Sequence, residues 1–286
     1  MGRYLIMNDG IQRKDIETLI GLAISEDIGE GDITSRAIFR EGDASKGVIV
    51  AKQQGIFCGG DIARIVYGII DPAVSVTQLV RDGEAIAAND KVIAVDGPTV
   101  GILSGERITL NFIQRMTAIA TRTASVVSML RGTNIQLLDT RKTLPGFRRL
   151  DKYAVKTGGG TNHRMGLYDM VMIKDNHIRA AGSIARAVQL VRERYGTKYT
   201  VEVEAEDLGN VSEAVACGAD IIMLDNMDTA MMKKAVELIG KRARIEVSGN
   251  MDEKRIKEIV GLDVDYISMG SLTHSVAAFD LSMDFD

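Results

Sequence analysis

Two hydrophobic textures divide this chain. Up to about residue 105 the pattern is mixed. Residues 14–25 carry apolar positions at helical spacing and stop before the turn-rich EDIGEGDIT. Segments 46–52, 73–80 and 91–96 are rich in β-branched residues and bounded by Gly, Asp or Pro, which predicts strands, with a helix over 60–70 among them. A long helix is predicted after Gly105, where Phe112, Met116, Ile119, Thr123, Val126 and Leu130 share one face; it links the two halves.

From residue 135 onward, short apolar runs alternate with helical stretches. The runs are IQLLD (135–139), MVMIKD (170–175), YTVEVEAE (199–206), DIIMLDN (220–226), RIEVSGN (244–250) and DYISMG (265–270). Helical spacing fills 183–195, 208–217, 228–240 and 252–261, and the pattern leaves 153–157 open between strand and helix. Near-continuous apolar strands in a β/α repeat predict a parallel sheet covered on both faces. Polar, chemistry-bearing residues stand at six successive strand ends, which favours a barrel over an open sheet with one switch point. A complete eightfold barrel needs about 250 residues, so the remaining stretch predicts a shortened barrel of six or seven strands.

Composition narrows the function. The 286 residues are 45% hydrophobic and 26% charged, a globular balance. No apolar run reaches the ~18 residues of a membrane span. MGRYLIMNDG has too short an apolar stretch for a signal-peptide core, and Ile6 stands where a myristoylation signal wants Ser or Thr. A soluble, cytoplasmic protein is expected. Cys58 and Cys217 match no metal or redox spacing, and the three histidines form no HExxH pair. A net charge of -4, 5% aromatics and no Trp argue against nucleic acid. Yet residues 139–179 hold nine Lys/Arg against four Asp, a surplus of five, so the rest of the chain carries minus nine. A local positive field on an acidic protein suits a small polyanion, although a solvated basic face has the same composition.

The strand ends carry the candidate chemistry. Ser248-Gly249-Asn250 and Met269-Gly270-Ser271 follow the last two strands, where barrels bind phosphate through backbone N–H groups; plain strand-to-helix turns would read the same way. Glu204 and Asp225, on neighbouring strand ends, suit Mg²⁺ or sugar hydroxyls. Glu202 shares a face with Glu204 and is either a second ligand or the partner of a buried Lys or Arg inside the barrel. Arg141, Lys142, Arg164 and Lys174 together suit a ligand with several carboxylates or phosphates. His163 is either a carboxylate donor or a structural hydrogen-bonding residue, and His274 has no assigned role beyond capping. GGGTNHR lacks the GxGxxG spacing of a dinucleotide site.

Taken in order, EDIGEGDIT, SGERITLN (104–111), DTRKTLPGFR (139–148), KYAVKTGGGTNHRMGLYDMVMIKDNHI (152–178), VEVE (201–204), LDN (224–226), VSGN (247–250) and MGSLTHSV (269–276) resemble the quinolinate phosphoribosyltransferase family nearly end to end. The resemblance implies an α/β protein with an N-terminal α+β sandwich domain over 1–110. An incomplete α/β barrel with the active site over 111–272 and a tail over 273–286 that packs back on the N-terminal domain would follow. It implies transfer of a phosphoribosyl group from phosphoribosyl pyrophosphate (PRPP) to the ring nitrogen of quinolinate, with loss of pyrophosphate and CO₂, giving nicotinate mononucleotide in NAD biosynthesis. By motif matching, Arg107, Thr140, Arg141, His163, Arg164 and Lys174 would bind quinolinate. Lys142 would lie between the two substrates. Glu204 and Asp225 would hold the ribose hydroxyls and Mg²⁺, and Lys142, Ser248, Gly249, Asn250, Met269, Gly270 and Ser271 the PRPP phosphates. Lys142, Lys174, Glu204 and Asp225 would be catalytic. Some family members have Gly where Asn250 stands, which touches the geometry of one backbone donor. A homodimer is implied in which Arg107 reaches into the partner's site. Two other readings are a sister phosphoribosyltransferase with another acceptor and a catalytically silent relative; the full set of charged residues speaks against the second.

Overall fold

The structure, a computed structural model, describes residues 14–285. Ile6 and the rest of the MGRYLIMNDG segment lie outside the described residues. The chain divides into two compact units. The first takes the described residues to Ala124, Thr143–Gly159 and the chain from Ser275; the second takes Ser125–Lys142 and Gly160–His274. This partition differs from a single boundary at residue 110.

The first unit begins with α1 (Lys14–Asp27) and α2 (Ile33–Ile38), and continues through β1 (Ala44–Ala51), β2 (Gly55–Ile56), α3 (Gly60–Ile70), β3 (Ser75–Gln78), β4 (Ala85–Ile86) and β5 (Lys91–Pro98). The long helix α4 (Thr99–Met129) starts six residues before Gly105, earlier than its apolar stripe indicated. Three of these strands join the C-terminal strand β12 (Leu281–Phe285) in an antiparallel sheet of order β12-β1-β5-β3, with β12 running against β1. Apolar side chains of the sheet (Ile49, Val92, Ile93, Val95, Leu281) pack with Tyr67 of α3 and Ile102, Leu110 and Ile113 of α4 in one buried cluster. Burial of several such side chains, each worth about 1.5–3 kcal/mol, holds the layers together.

Residues 153–157 are helical, inside α5 (Arg148–Thr157). Two long-range polar contacts bind α5 to the first unit. Arg115 donates from Nε and Nη2 to the fully buried Asp151 carboxylate at 2.8 and 2.7 Å, and the Tyr153 hydroxyl donates to Asp82 at 3.0 Å. Asp82 also accepts the Gly59 and Gly60 amides, so a single carboxylate ties α3 to α5.

The second unit is a parallel sheet of β6 (Gln136–Leu138), β7 (Val171–Ile173), β8 (Val201–Ala205), β9 (Ile221–Asp225), β10 (Arg244–Ser248) and β11 (Tyr266–Ser268). The strand order is β6-β11-β10-β9-β8-β7, so the first strand of the unit neighbours its last, as in a barrel. Among the described residues β6 and β7 do not pair, which leaves the barrel incomplete at six strands. Helices α6 (Asp175–Ala181), α7 (Ile184–Tyr195), α8 (Leu208–Ala216), α9 (Thr229–Ile239) and α10 (Glu253–Ile259) separate the strands, and α11 (Ser271–His274) follows β11. Ser183, Asp207, Asp228 and Asp252 cap α7 to α10 by accepting a backbone N–H three residues on. Each cap contributes about 1 kcal/mol and marks in the sequence where the chain turns from strand end to helix. No helix among the described residues is long and apolar enough to cross a membrane.

Candidate functional site

Strand alternation sends every second side chain of the six-stranded sheet to one face, and the register lines them up in rows. Met172 lies beside Glu202, Glu204 beside Met223, Met223 beside Glu246, and Asp225 beside Ser248. At the C-terminal ends of the strands these rows open into a cavity of about 790 Å³ lined by second-unit residues. Its wall includes four Lys/Arg side chains, Arg141, Lys142, Arg164 and Lys174, together with the carboxylates of Glu204, Asp225 and Glu246. Thr140, His163, Ser248, Gly249, Asn250, Gly270 and Ser271 also line it. Of the sequence-predicted set, Met269 is buried behind the wall and Arg107 stands on α4 in the first unit, exposed, outside the lining.

Each cation has a local reason for its place. Arg141 and Lys142 follow β6, where Asp139, fully buried, accepts the His163 amide at 2.9 Å and the Asn162 side-chain amide at 2.6 Å, so the end of β6 and the loop 160–164 are pinned together. The Thr273 hydroxyl donates to the Lys142 carbonyl at 2.8 Å. Gly270 lets the Lys142 side chain pass, since a Cβ there would stand 2.9 Å from Lys142 Cδ. Arg164 rests its guanidinium on the Met170 carbonyl at 3.3 Å and the Met172 sulfur at 3.5 Å. Burial and the charge of Arg141 lower the Arg164 pKa, against the opposing charges of Glu202, Asp169 and Glu204. Two guanidinium groups that repel each other in a half-buried setting make a receptor for carboxylates.

Lys174 caps α6, and its Nζ meets both oxygens of Glu204 at 3.1 and 3.0 Å. The Asp225 carboxylate accepts from the Asn226 amide at 2.8 Å through Oδ2, and Asn250 donates to Asn226 Oδ1 at 3.2 Å. Asn226 and Asn250 both adopt positive φ (53° and 46°), and Gly249 has φ 99°. A Cβ on Gly249 would collide with the Asn226 side chain and sit 2.8 Å from its backbone nitrogen, so this close packing of the β9 and β10 loops requires glycine.

Below this layer lies a buried trio. His163 Nε2 approaches Glu202 Oε2 at 3.1 Å and Glu246 Oε2 at 3.3 Å, and both carboxylates are fully buried. Burial pushes Glu202 up to about 7, with the Glu246 charge adding to it and His163 opposing. For His163, burial acts downward, and Glu202 and Glu246 overcome it and raise the pKa to about 9. The trio therefore retains an extra proton near neutral pH, and because His163 Nδ1 accepts the Arg164 amide the ring stays neutral and that proton belongs to the two carboxylates. Its ligating atoms lie within 4.8 Å of one another, close enough for a metal. The tautomer speaks against one: Nδ1 accepts the Arg164 amide at 2.7 Å, which leaves the ring proton on Nε2, the atom that would have to ligate. Glu246 was missed in the sequence, although alternation in RIEVSGN places it on the face of Ser248. Met172, Met223, Met251, Asn226, Ser268 and His274 complete the lining.

The family models for quinolinate phosphoribosyl transferase match this chain, the N-terminal domain over residues 32–117 and the C-terminal domain over 119–284. A probable nicotinate-nucleotide pyrophosphorylase [carboxylating] of Bacillus subtilis is 42% identical over 269 residues, 94% of this chain and 93% of that one. The chloroplastic nicotinate-nucleotide pyrophosphorylase [carboxylating] of Arabidopsis thaliana is also 42% identical, over 95% of this chain and 83% of its own. The crystal structure of NadC from Streptococcus pyogenes superposes with a TM-score of 0.92 at 39% identity, covering 96% of this chain and 97% of that chain.

Proposed function

The chain belongs to the quinolinate phosphoribosyl transferase family, and from that membership we propose how its cavity performs the family's reaction. The reaction transfers the phosphoribosyl group of PRPP to the ring nitrogen of quinolinate and gives nicotinate mononucleotide, pyrophosphate and CO₂, a step of NAD biosynthesis. One observation supports this reading most directly: Arg141, Lys142, Arg164 and Lys174 face Glu204 and Asp225 within a single cavity. Such a site accepts a dicarboxylate and a phosphorylated sugar side by side.

Arg141 and Arg164 bind the quinolinate carboxylates with Thr140, and the dianion relieves their mutual repulsion. His163 braces this subsite from within. Lys174 contributes one ammonium proton to the acceptor while it holds Glu204. Lys142, which borders Gly270, lies between acceptor and donor, and the backbone N–H groups of Ser248–Asn250 and Met269–Ser271 take phosphate. As the C1–oxygen bond to pyrophosphate breaks, positive charge grows on the ribose and negative charge on the leaving group. Glu204 and Asp225 face the first and Lys142 the second. The ring nitrogen forms the new bond to C1 and becomes cationic. That charge stabilises the electron pair left on C2 when the C2–carboxylate bond breaks and CO₂ departs, and the pair then forms a C–H bond with a proton from solvent.

The carboxylates fit Mg²⁺. Asp225 accepts from Asn226 through Oδ2 and would offer its other oxygen to Mg²⁺, and Glu204, held on both oxygens by Lys174, would meet the ion through its retained waters. Bound there, the ion supplies positive charge that stabilises departing pyrophosphate. The free thiols Cys58 and Cys217 agree with a reducing, cytoplasmic setting.

Arg107, exposed on α4 and outside the lining, completes the partner's site in a twofold homodimer. The test has two stages. Purified protein with PRPP, Mg²⁺ and quinolinate should form nicotinate mononucleotide and CO₂, with far less product from nicotinate and none in EDTA; equal turnover of the two acids refutes the acceptor. Arg107→Ala and Lys142→Ala homodimers should each be nearly inactive, and refolding them together should restore about a quarter of the wild-type sites by random pairing. Hybrids confirmed by mass spectrometry without activity would remove the shared site.

A further inference from the structure

Two carboxylates remain without a part in this reaction. Glu202 and Glu246 are fully buried, and an uncompensated buried carboxylate costs several kcal/mol. Strand interiors in a parallel sheet are ordinarily aliphatic, as Val201, Val203, Ile245 and Val247 are here. Besides each other, the polar group that the two carboxylates meet among the described residues is the ring nitrogen of His163, 3.1 Å from Glu202 and 3.3 Å from Glu246. That ring is held at its other end too. Its Nδ1 accepts the Arg164 amide at 2.7 Å, while the His163 amide donates to Asp139 at 2.9 Å. The imidazole is thus a cross-brace between β8, β10 and the backbone that presents Arg164.

From this geometry we propose that Glu202 and Glu246 are positioning residues for the acceptor subsite: they fix the His163 ring in its Nε2–H form and, through it, the place from which Arg164 reaches the substrate. The proposal rests on the phosphoribosyl-transfer reading above. Glu202 precedes Glu204 by one period of the strand alternation, and Glu246 stands level with Glu204 across Met223 at the inner wall of the cavity; each acts on the Arg164 subsite through the His163 ring that it holds. A neutral ring freed from them can rotate, the Arg164 amide then loses its acceptor, and the guanidinium leaves its seat on Met170 and Met172. A misplacement of about 1 Å in a positioning group costs up to about 100-fold.

The experiment combines kinetics with ¹⁵N NMR of the imidazoles, which is tractable because the chain has 3 histidines. Wild-type turnover of quinolinate is established first, so that failure of the reaction itself is recognised before any variant is judged. Glu246→Leu should raise the quinolinate KM about 30-fold or more and Glu246→Gln, which keeps an acceptor oxygen, by about three- to tenfold, with PRPP KM and kcat within about threefold. In a His163→Ala background the same Glu246 changes should alter the quinolinate KM less than about twofold, since the effect passes through the ring. The wild-type His163 ring should show a protonated Nε2 and a bare Nδ1, and this preference should be lost in Glu246→Leu. If Glu246→Leu does not fold, Glu202→Gln and Glu246→Gln carry the same comparison. Equal rises in both KM values, full additivity with His163→Ala, unchanged quinolinate KM in the folded variants, or a bare Nε2 in the wild type would each overturn the proposal.

Discussion

Arg164→Ala isolates the acceptor subsite. Among the described residues the guanidinium of Arg164 donates to a carbonyl and a thioether, at 3.3 and 3.5 Å, and the carboxylates of Glu202, Asp169 and Glu204 act on it through space without a direct ion pair. Its charge is therefore available to a ligand. A carboxylate about 4 Å away in a site with an effective dielectric constant of about 20 gains about 4 kcal/mol before desolvation. This agrees with the roughly 2–5 kcal/mol lost when one member of a buried charge pair is truncated. The expected loss is about 30- to 5,000-fold in quinolinate Kd. Arg164→Lys should recover part of it, because the charge returns without the planar fork. Isothermal titration calorimetry with quinolinate, nicotinate and PRPP separates the possibilities. Quinolinate binding should collapse toward that of nicotinate, which lacks the 2-carboxylate, and PRPP affinity should change by less than about threefold. Comparable losses for quinolinate and PRPP would show that Arg164 serves the whole cavity rather than the acceptor, and an unchanged quinolinate Kd would refute the electrostatic argument outright.

Gly249→Ala should raise the PRPP KM by about tenfold or more while the quinolinate Kd is preserved, because an added Cβ strikes Asn226 and the backbone at φ 99° resists a side chain; steady-state kinetics with each substrate varied would expose an equal effect on both. Asp32 caps α2 by accepting the Ser35 amide at 2.9 Å, and the Ser35 hydroxyl, followed by that amide, lowers its pKa. Asp32→Ala should cost about 1 kcal/mol of stability at pH 7. A depressed carboxylate pKa contributes stability above the unfolded value, near 3.9, and loses it as pH falls through the lower folded value, so the two proteins should converge in urea midpoint in that acidic range. A gap that persists well below it would show that the cap acts through packing.

The local pattern determined much of the second unit. Apolar runs at 199–206, 220–226 and 244–250 became β8, β9 and β10, and the caps at Asp207, Asp228 and Asp252 opened the helices between them, because strand burial and capping depend on neighbours a few residues away. The residue types at the strand ends likewise announced a polyanion site, since the C-terminal edge of a parallel sheet collects whatever follows each strand. Short elements were less legible. The seven-residue α6 hides within the strand-end motif KDNH, where Lys174 and His177 cap it, and 153–157 could be resolved as helix only by the partners of α5. Those partners are distant: Arg115 holds Asp151 and Asp82 holds Tyr153, and β12 crosses more than 200 residues to pair with β1. The partner of Glu202, left open between a metal and a buried Lys or Arg, is instead His163, shared with Glu246. Periodicity tells which face of a strand is buried, but the identity of the group met there depends on sheet order and register. A buried charge is compensated only once segments 39 and 83 residues from His163 have come together with it, and that is a property of the tertiary structure alone.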